Sequence, residues 1–107
     1  SNIAIGRNAL GANVSTHLNV AVGDKALAAN TGNSNTAIGY QAMEATTSGQ
    51  YNVAVGSLTL DANTTADSNT AVGYAALTST TTGASNTGFG RDTLAANTTG
   101  ADKCGIW

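Results

Sequence analysis

The stretch Asn35-Thr-Ala-Ile-Gly-Tyr-Gln-Ala-Met43 recurs, with small changes, along the whole chain. Its counterparts begin at Asn2, Asn19, Asn52, Asn69 and Asn86, so successive copies are 17, 16, 17, 17 and 17 residues apart, and one position is missing from the second repeat. Self-similarity at a fixed period constrains a chain more than any motif. Each repeat is one structural unit that buries its apolar side only against its neighbours. The expectation is a solenoid.

Counting each repeat from its asparagine sorts the residues into columns. Position four holds Ile5, Val22, Ile38, Val55, Val72 and Phe89, and position nine holds Leu10, Leu27, Met43, Leu60, Leu77 and Leu94. Both columns are large and apolar. Position three is alanine, with Gly88 the exception; position five is always glycine; position eight is alanine, with Thr59 and Thr93 the exceptions. Recurrent glycine beside β-branched residues opposes helix and favours strand. Hydrophobic residues make up 41% of the chain, yet only 5% are aromatic and much of the rest is alanine, too little volume for an ordinary two-layer core. The backbone must then pack close to itself. Side chains alternate along a strand, so positions three and five face one way and positions two and four the other. Small residues are expected inside a flattened coil, with position four pointing out. The fold class expected is all-β, a parallel β-solenoid or β-roll of six rungs, each 16 or 17 residues long.

An outward column of Ile5, Val22, Ile38, Val55, Val72 and Phe89 would leave an apolar stripe about 29 Å long at the ~4.8 Å spacing of paired strands. Soluble monomers rarely leave such a stripe open. Burial against the same stripe of sister chains, about an axis parallel to the coil, predicts a homotrimer with these six residues at its interface. Glycine at position five marks a corner or a close backbone approach. Asparagine at position one is expected to stack as a ladder whose amides bond neighbouring rungs and turn backbone.

Beyond position nine each repeat becomes polar and turn-like, as in Asp61-Ala-Asn-Thr-Thr-Ala-Asp-Ser68. Thr31, Thr47, Thr64, Thr81 and Thr98 share one column that only Val14 interrupts, and Ser15, Gly32, Ser48, Thr65, Thr82 and Thr99 run beside it. The first reading of these files is a solvated edge, and Thr31, Thr47, Thr64, Thr81 and Thr98 are also a candidate surface-binding file. The pairs Thr46 and Ser48, Asn63 and Thr65, Thr80 and Thr82, and Asn97 and Thr99 offer hydroxyls and amides two residues apart. On a flat face that regular array would suit ice, which makes ice binding the alternative function.

The segments Asn35-Thr-Ala-Ile-Gly-Tyr-Gln-Ala-Met43, Asn69-Thr-Ala-Val-Gly-Tyr-Ala-Ala-Leu77 and Asn97-Thr-Thr-Gly100 resemble repeats of phage tail-fibre proteins. More distantly, they are similar to the head repeats of trimeric autotransporter adhesins, although the rung here is longer. The resemblance covers nearly the whole chain. It implies a trimeric parallel β-roll serving as a stalk or binding surface on a virion tail fibre or a bacterial cell surface, with a host glycan or protein as partner.

Little else in the sequence points to chemistry. Charged residues are 9%, four basic against six acidic, which carries no nucleic-acid footprint or polybasic patch. No apolar run is long enough for membrane insertion. His17 is the only histidine and has no cysteine or second histidine at ligand spacing, so neither a metal nor a cofactor is expected. Asp24, Glu44, Asp61, Asp67, Asp92 and Asp102 fall in different columns. A tailspike-like glycan hydrolase, which needs two facing carboxylates, stays a remote alternative in which separate subunits would supply them, and the chain is read as no enzyme. Cys104 stands in column two, where three copies about an axis cannot all pair, so no functional disulfide is expected. Residues 1–107 are read as one repeat domain, with six full repeats over 2–102 and the start of a seventh at 103–107, cut from a longer fibre.

Overall fold

Each Asn-x-Ala-Ile-Gly segment lays down one three-residue strand in the computed structural model, which describes all 107 residues. The strands are β1 (Ile3–Ile5), β2 (Val20–Val22), β3 (Thr36–Ile38), β4 (Val53–Val55), β5 (Thr70–Val72), β6 (Thr87–Phe89) and β7 (Cys104–Ile106). They form one parallel sheet in chain order. Columns stack on columns: Ala21 pairs with Ala37, Ala37 with Ala54 and Ala54 with Ala71. There is no helix, and the chain is a β-solenoid of about six turns measuring 33 × 20 × 17 Å. Every strand contacts only the strands before and after it.

Glycine at position five ends each strand for both expected reasons. Its φ lies between +124° and +140°, a conformation L side chains rarely adopt. A Cβ built on Gly56 would also lie 2.6 Å from the Gly73 carbonyl oxygen of the next rung. After the corner come overlapping turns, closed by Ala26 N–H to Gly23 O at 3.2 Å, Ala28 to Lys25 at 3.2 Å and Asn30 to Leu27 at 3.1 Å. These turns are themselves stacked, with Leu27 N–H donating to Ala42 O at 3.0 Å. Only 12 of the 64 backbone hydrogen bonds lie within the strands, so cohesion between rungs extends well beyond the sheet.

The interior differs from the small-residue filling expected. Leu27, Met43, Leu60 and Leu77 of position nine are fully buried beside the alanines of positions three and eight. Position nine is thus what forces position three to be small. A Cβ on Gly88 would lie 3.3 Å from Leu77 Cγ, leaving room for nothing beyond alanine. The other half of the interior is polar. The side-chain amide of Asn52 donates to Ala66 O at 2.8 Å, and its Oδ1 accepts the backbone N–H of Asn69 at 2.9 Å. Asn19, Asn35, Asn69 and Asn86 repeat both bonds, so the asparagine ladder expected from the sequence runs the length of the coil. No buried side-chain nitrogen or oxygen is left without a partner, which removes the main penalty for a polar interior.

Candidate interaction surfaces

Strand alternation turns positions two and four outward together. With Ala21, Ala37, Ala54 and Ala71 of position three buried beneath the column, Val22, Val55 and Val72 are half-buried, while Ile5 is 61% exposed and Phe89 54%. Ile38 is exposed as well. The six position-four residues therefore do share one outward face. Position two lies on the same side, as expected from strand alternation, and widens the face beyond the position-four stripe: Ile3 and Cys104 are exposed, and Val20, Thr36, Val53 and Thr70 half-buried. The period of two sets the columns about 7 Å apart.

Two corners border this face. Position six carries Arg7, Asp24, Tyr40, Ser57, Tyr74 and Arg91, and the position before each leading asparagine carries Ser1, Leu18, Ser34, Tyr51, Ser68 and Ser85, with Asp102 before Lys103 in the same column. Tyr40, Tyr51 and Tyr74 are exposed, and the Arg91 guanidinium sits 5.5 Å from the Tyr74 ring centroid. Arg7 grips Asp24 with two bonds of 2.8 and 3.0 Å. The hydrogen bond first, and then the opposite charge, raise the Arg7 pKa; the same bond holds the Asp24 carboxyl below its ordinary value.

The threonine file is partly turned in on itself. The hydroxyls of Thr31, Thr47, Thr64 and Thr81 each donate to the carbonyl of the file member one rung on, at 3.1 to 3.4 Å. Thr98 ends the file, exposed. The two-residue pairs do not form the array imagined for ice. Thr46, Asn63 and Thr80 are fully buried, whereas Ser48, Thr65 and Thr82 are exposed, because the chain bends between them and sends the pair to opposite sides. Gly32 also leaves the column assigned to it. Its carbonyl accepts from Asn19 and Asn30 at 3.0 and 2.9 Å, the place Gly49 fills for Asn35. The residue missing from the second repeat is therefore the counterpart of Ser48.

The remaining singled-out residues are dispersed. His17 and Cys104 are exposed. Asp24 pairs with Arg7, Glu44 lies 3.6 Å from Lys25, Asp61 accepts from Thr78 at 2.7 Å, and Asp67 accepts from the Gln50 N–H at 2.7 Å. No three histidine, cysteine or acidic side chains are grouped to hold a metal. The two hollows in the surface lie at the ends of the coil, by Trp107 and by Ser1; its flanks carry none. No helix is long and apolar enough to cross a membrane. No protein-family model, curated protein or solved structure matches the chain.

Proposed function

We propose that this chain is a structural and adhesive segment of a trimeric fibre, of the kind carried on a phage tail or a bacterial surface. The observation that carries the reading is the outward apolar column of position four, which runs unbroken from Ile5 in β1 to Ile106 in β7, with Ile3, Val20 and Val53 of position two beside it. The strand face runs 33 Å along the coil and is three residues, about 10 Å, wide, so it covers roughly 330 Å2 and reaches the ~800 Å2 per partner of a stable protein interface only together with the corners that border it. Flanks without a cleft suit extended contact better than capture of a small molecule. Stacked turns in which every rung bonds the next make a stiff rod, the property a stalk needs, and the exposed Thr31, Thr47 and Thr98 of the threonine file are open to receptor contact.

Sedimentation at micromolar concentration tests the assembly. The expected result is a trimer that Val55→Asp reduces to folded monomer, because three symmetry-related carboxylates would be buried without partners. A wild-type chain that stays monomeric would sink the proposal.

A further inference from the structure

The corners beside the apolar face carry a pattern that the fibre reading does not use. At the rung of β3, Tyr40 stands at the far corner and Ser34 at the near one; at the rung of β5, Tyr74 faces Ser68 in the same way. Between them, at the rung of β4, the sizes are reversed: the far corner is Ser57 and the near corner Tyr51. The rung of β6 returns to the first arrangement, with Ser85 near and Arg91 far. The single serine of one corner column therefore falls at the height of the single tyrosine of the other. Within one chain the two corners do not meet, because a strand separates them.

From this size matching we infer that neighbouring copies in the trimer touch corner to corner at the same rung, with the near corner of one seated against the far corner of the next. Rotation about an axis parallel to the coil leaves every residue at its own height. It therefore brings Tyr51 of one copy to Ser57 of another, and Tyr40 and Tyr74 to serines. Six residues of a seventeen-residue turn climb only about 1.7 Å of the ~4.8 Å rung, so the nearest partner height is the same rung. A shift of one rung would set Tyr51 against Tyr40 or Tyr74 and leave facing serines elsewhere. The corners are firm enough to enforce the choice: Leu58 N–H donates to Tyr40 O and Asp92 N–H to Tyr74 O, each at 2.9 Å, and Ser68 N–H to Gln50 O at 3.0 Å. All three tyrosines are exposed, as side chains awaiting a partner copy should be.

The inference rests on the assembly proposed above, and cysteine cross-linking separates the two. In a Cys104→Ser background, Tyr51→Cys with Ser57→Cys should oxidise to a covalent ladder ending at three chains. The offset pair Tyr51→Cys with Tyr74→Cys should give about tenfold less, since Cα atoms more than ~7 Å apart cannot be bridged. A size exchange guards against loss of assembly by the cysteines themselves. Ser57→Tyr alone should dissociate the particle, and Tyr51→Ser added to it should restore assembly. A trimer by sedimentation in which the offset pair links as well as the matched pair, or in which Ser57→Tyr is harmless, overturns the register while sparing the assembly. A wild-type monomer overturns both.

Discussion

Replacing Asn52 by alanine tests the polar half of the interior at its centre. The side chain is fully buried, donates to Ala66 O at 2.8 Å and accepts from Asn69 N–H at 2.9 Å. Truncation orphans the Asn69 N–H, at about 1–3 kcal/mol for an unsatisfied buried donor. The Ala66 carbonyl keeps a longer bond of 3.3 Å from Asn63, so its loss is nearer the ~1 kcal/mol net value of one hydrogen bond. The expected destabilisation of Asn52→Ala is therefore about 2–4 kcal/mol. Asn2→Ala, at an exposed asparagine where water can replace the lost partners, should fall near the lower end of that scale or beneath it. The assay is urea unfolding followed by circular dichroism at one fixed protein concentration, because assembly links stability to concentration. Asn52→Asp adds a sign. The new carboxyl keeps the acceptor, loses the donor when ionised, and lies buried with its pKa raised above the unfolded value. The folded state then binds more protons than the unfolded one, so this variant loses stability as pH rises from about 4 through the raised pKa. It should be closest to wild type in acid, where the protonated oxygen can donate to Ala66. A loss below about 1 kcal/mol for Asn52→Ala, or a gap to wild type that narrows with rising pH for Asn52→Asp, would refute the reasoning.

At Gln41, where φ is +54°, Gln41→Gly should be neutral or stabilising by up to about 1 kcal/mol because the left-handed conformation no longer strains a side chain, and Gln41→Val should destabilise. Gly56→Ala should do the opposite of Gln41→Gly, since φ is +133° and the added carbon meets Gly73 O at 2.6 Å, and thermal melts read all three. For Asp24, the depressed folded pKa means that its contribution is present above the ordinary carboxylate pKa and is lost as pH falls through the lowered value. Arg7→Met should return the Asp24 carboxyl titration, followed by NMR, to the ordinary range.

The repeat itself made most of this fold readable. Alternation of Ala54 between Val53 and Val55 gave the strand and both its faces, and the invariant glycine column gave the corner, since stacking makes one residue's constraint every rung's constraint. What escaped was how the chain turns. Leu27 and Leu60 occupy left-handed conformations at φ of +52° and +51°, where glycine or asparagine would be the usual choice. The strain, about 1–2 kcal/mol each, is offset by burying a leucine side chain, about 1.5–3 kcal/mol. Only tertiary packing sets that balance, so no local signal announced that position nine turns inward. The paired hydroxyl files failed for a related reason. A spacing of two residues means one face only where the chain is extended, and the bend between Thr46 and Ser48 breaks that condition.

Because each strand contacts only its immediate neighbours and the asparagine bonds run from rung to rung, a force applied to the two ends of one chain meets the turns one after another. No cross-link ties a rung to anything but the adjacent turn. A chain pulled by its termini should therefore peel, not snap, giving a train of small ruptures. Each releases the contour of one 17-residue turn, roughly 50 Å of new length once the rung's own rise is subtracted. A tether built this way dissipates a sudden load in instalments, and each peeled turn can wind back onto the asparagine acceptor still exposed on the rung beneath it.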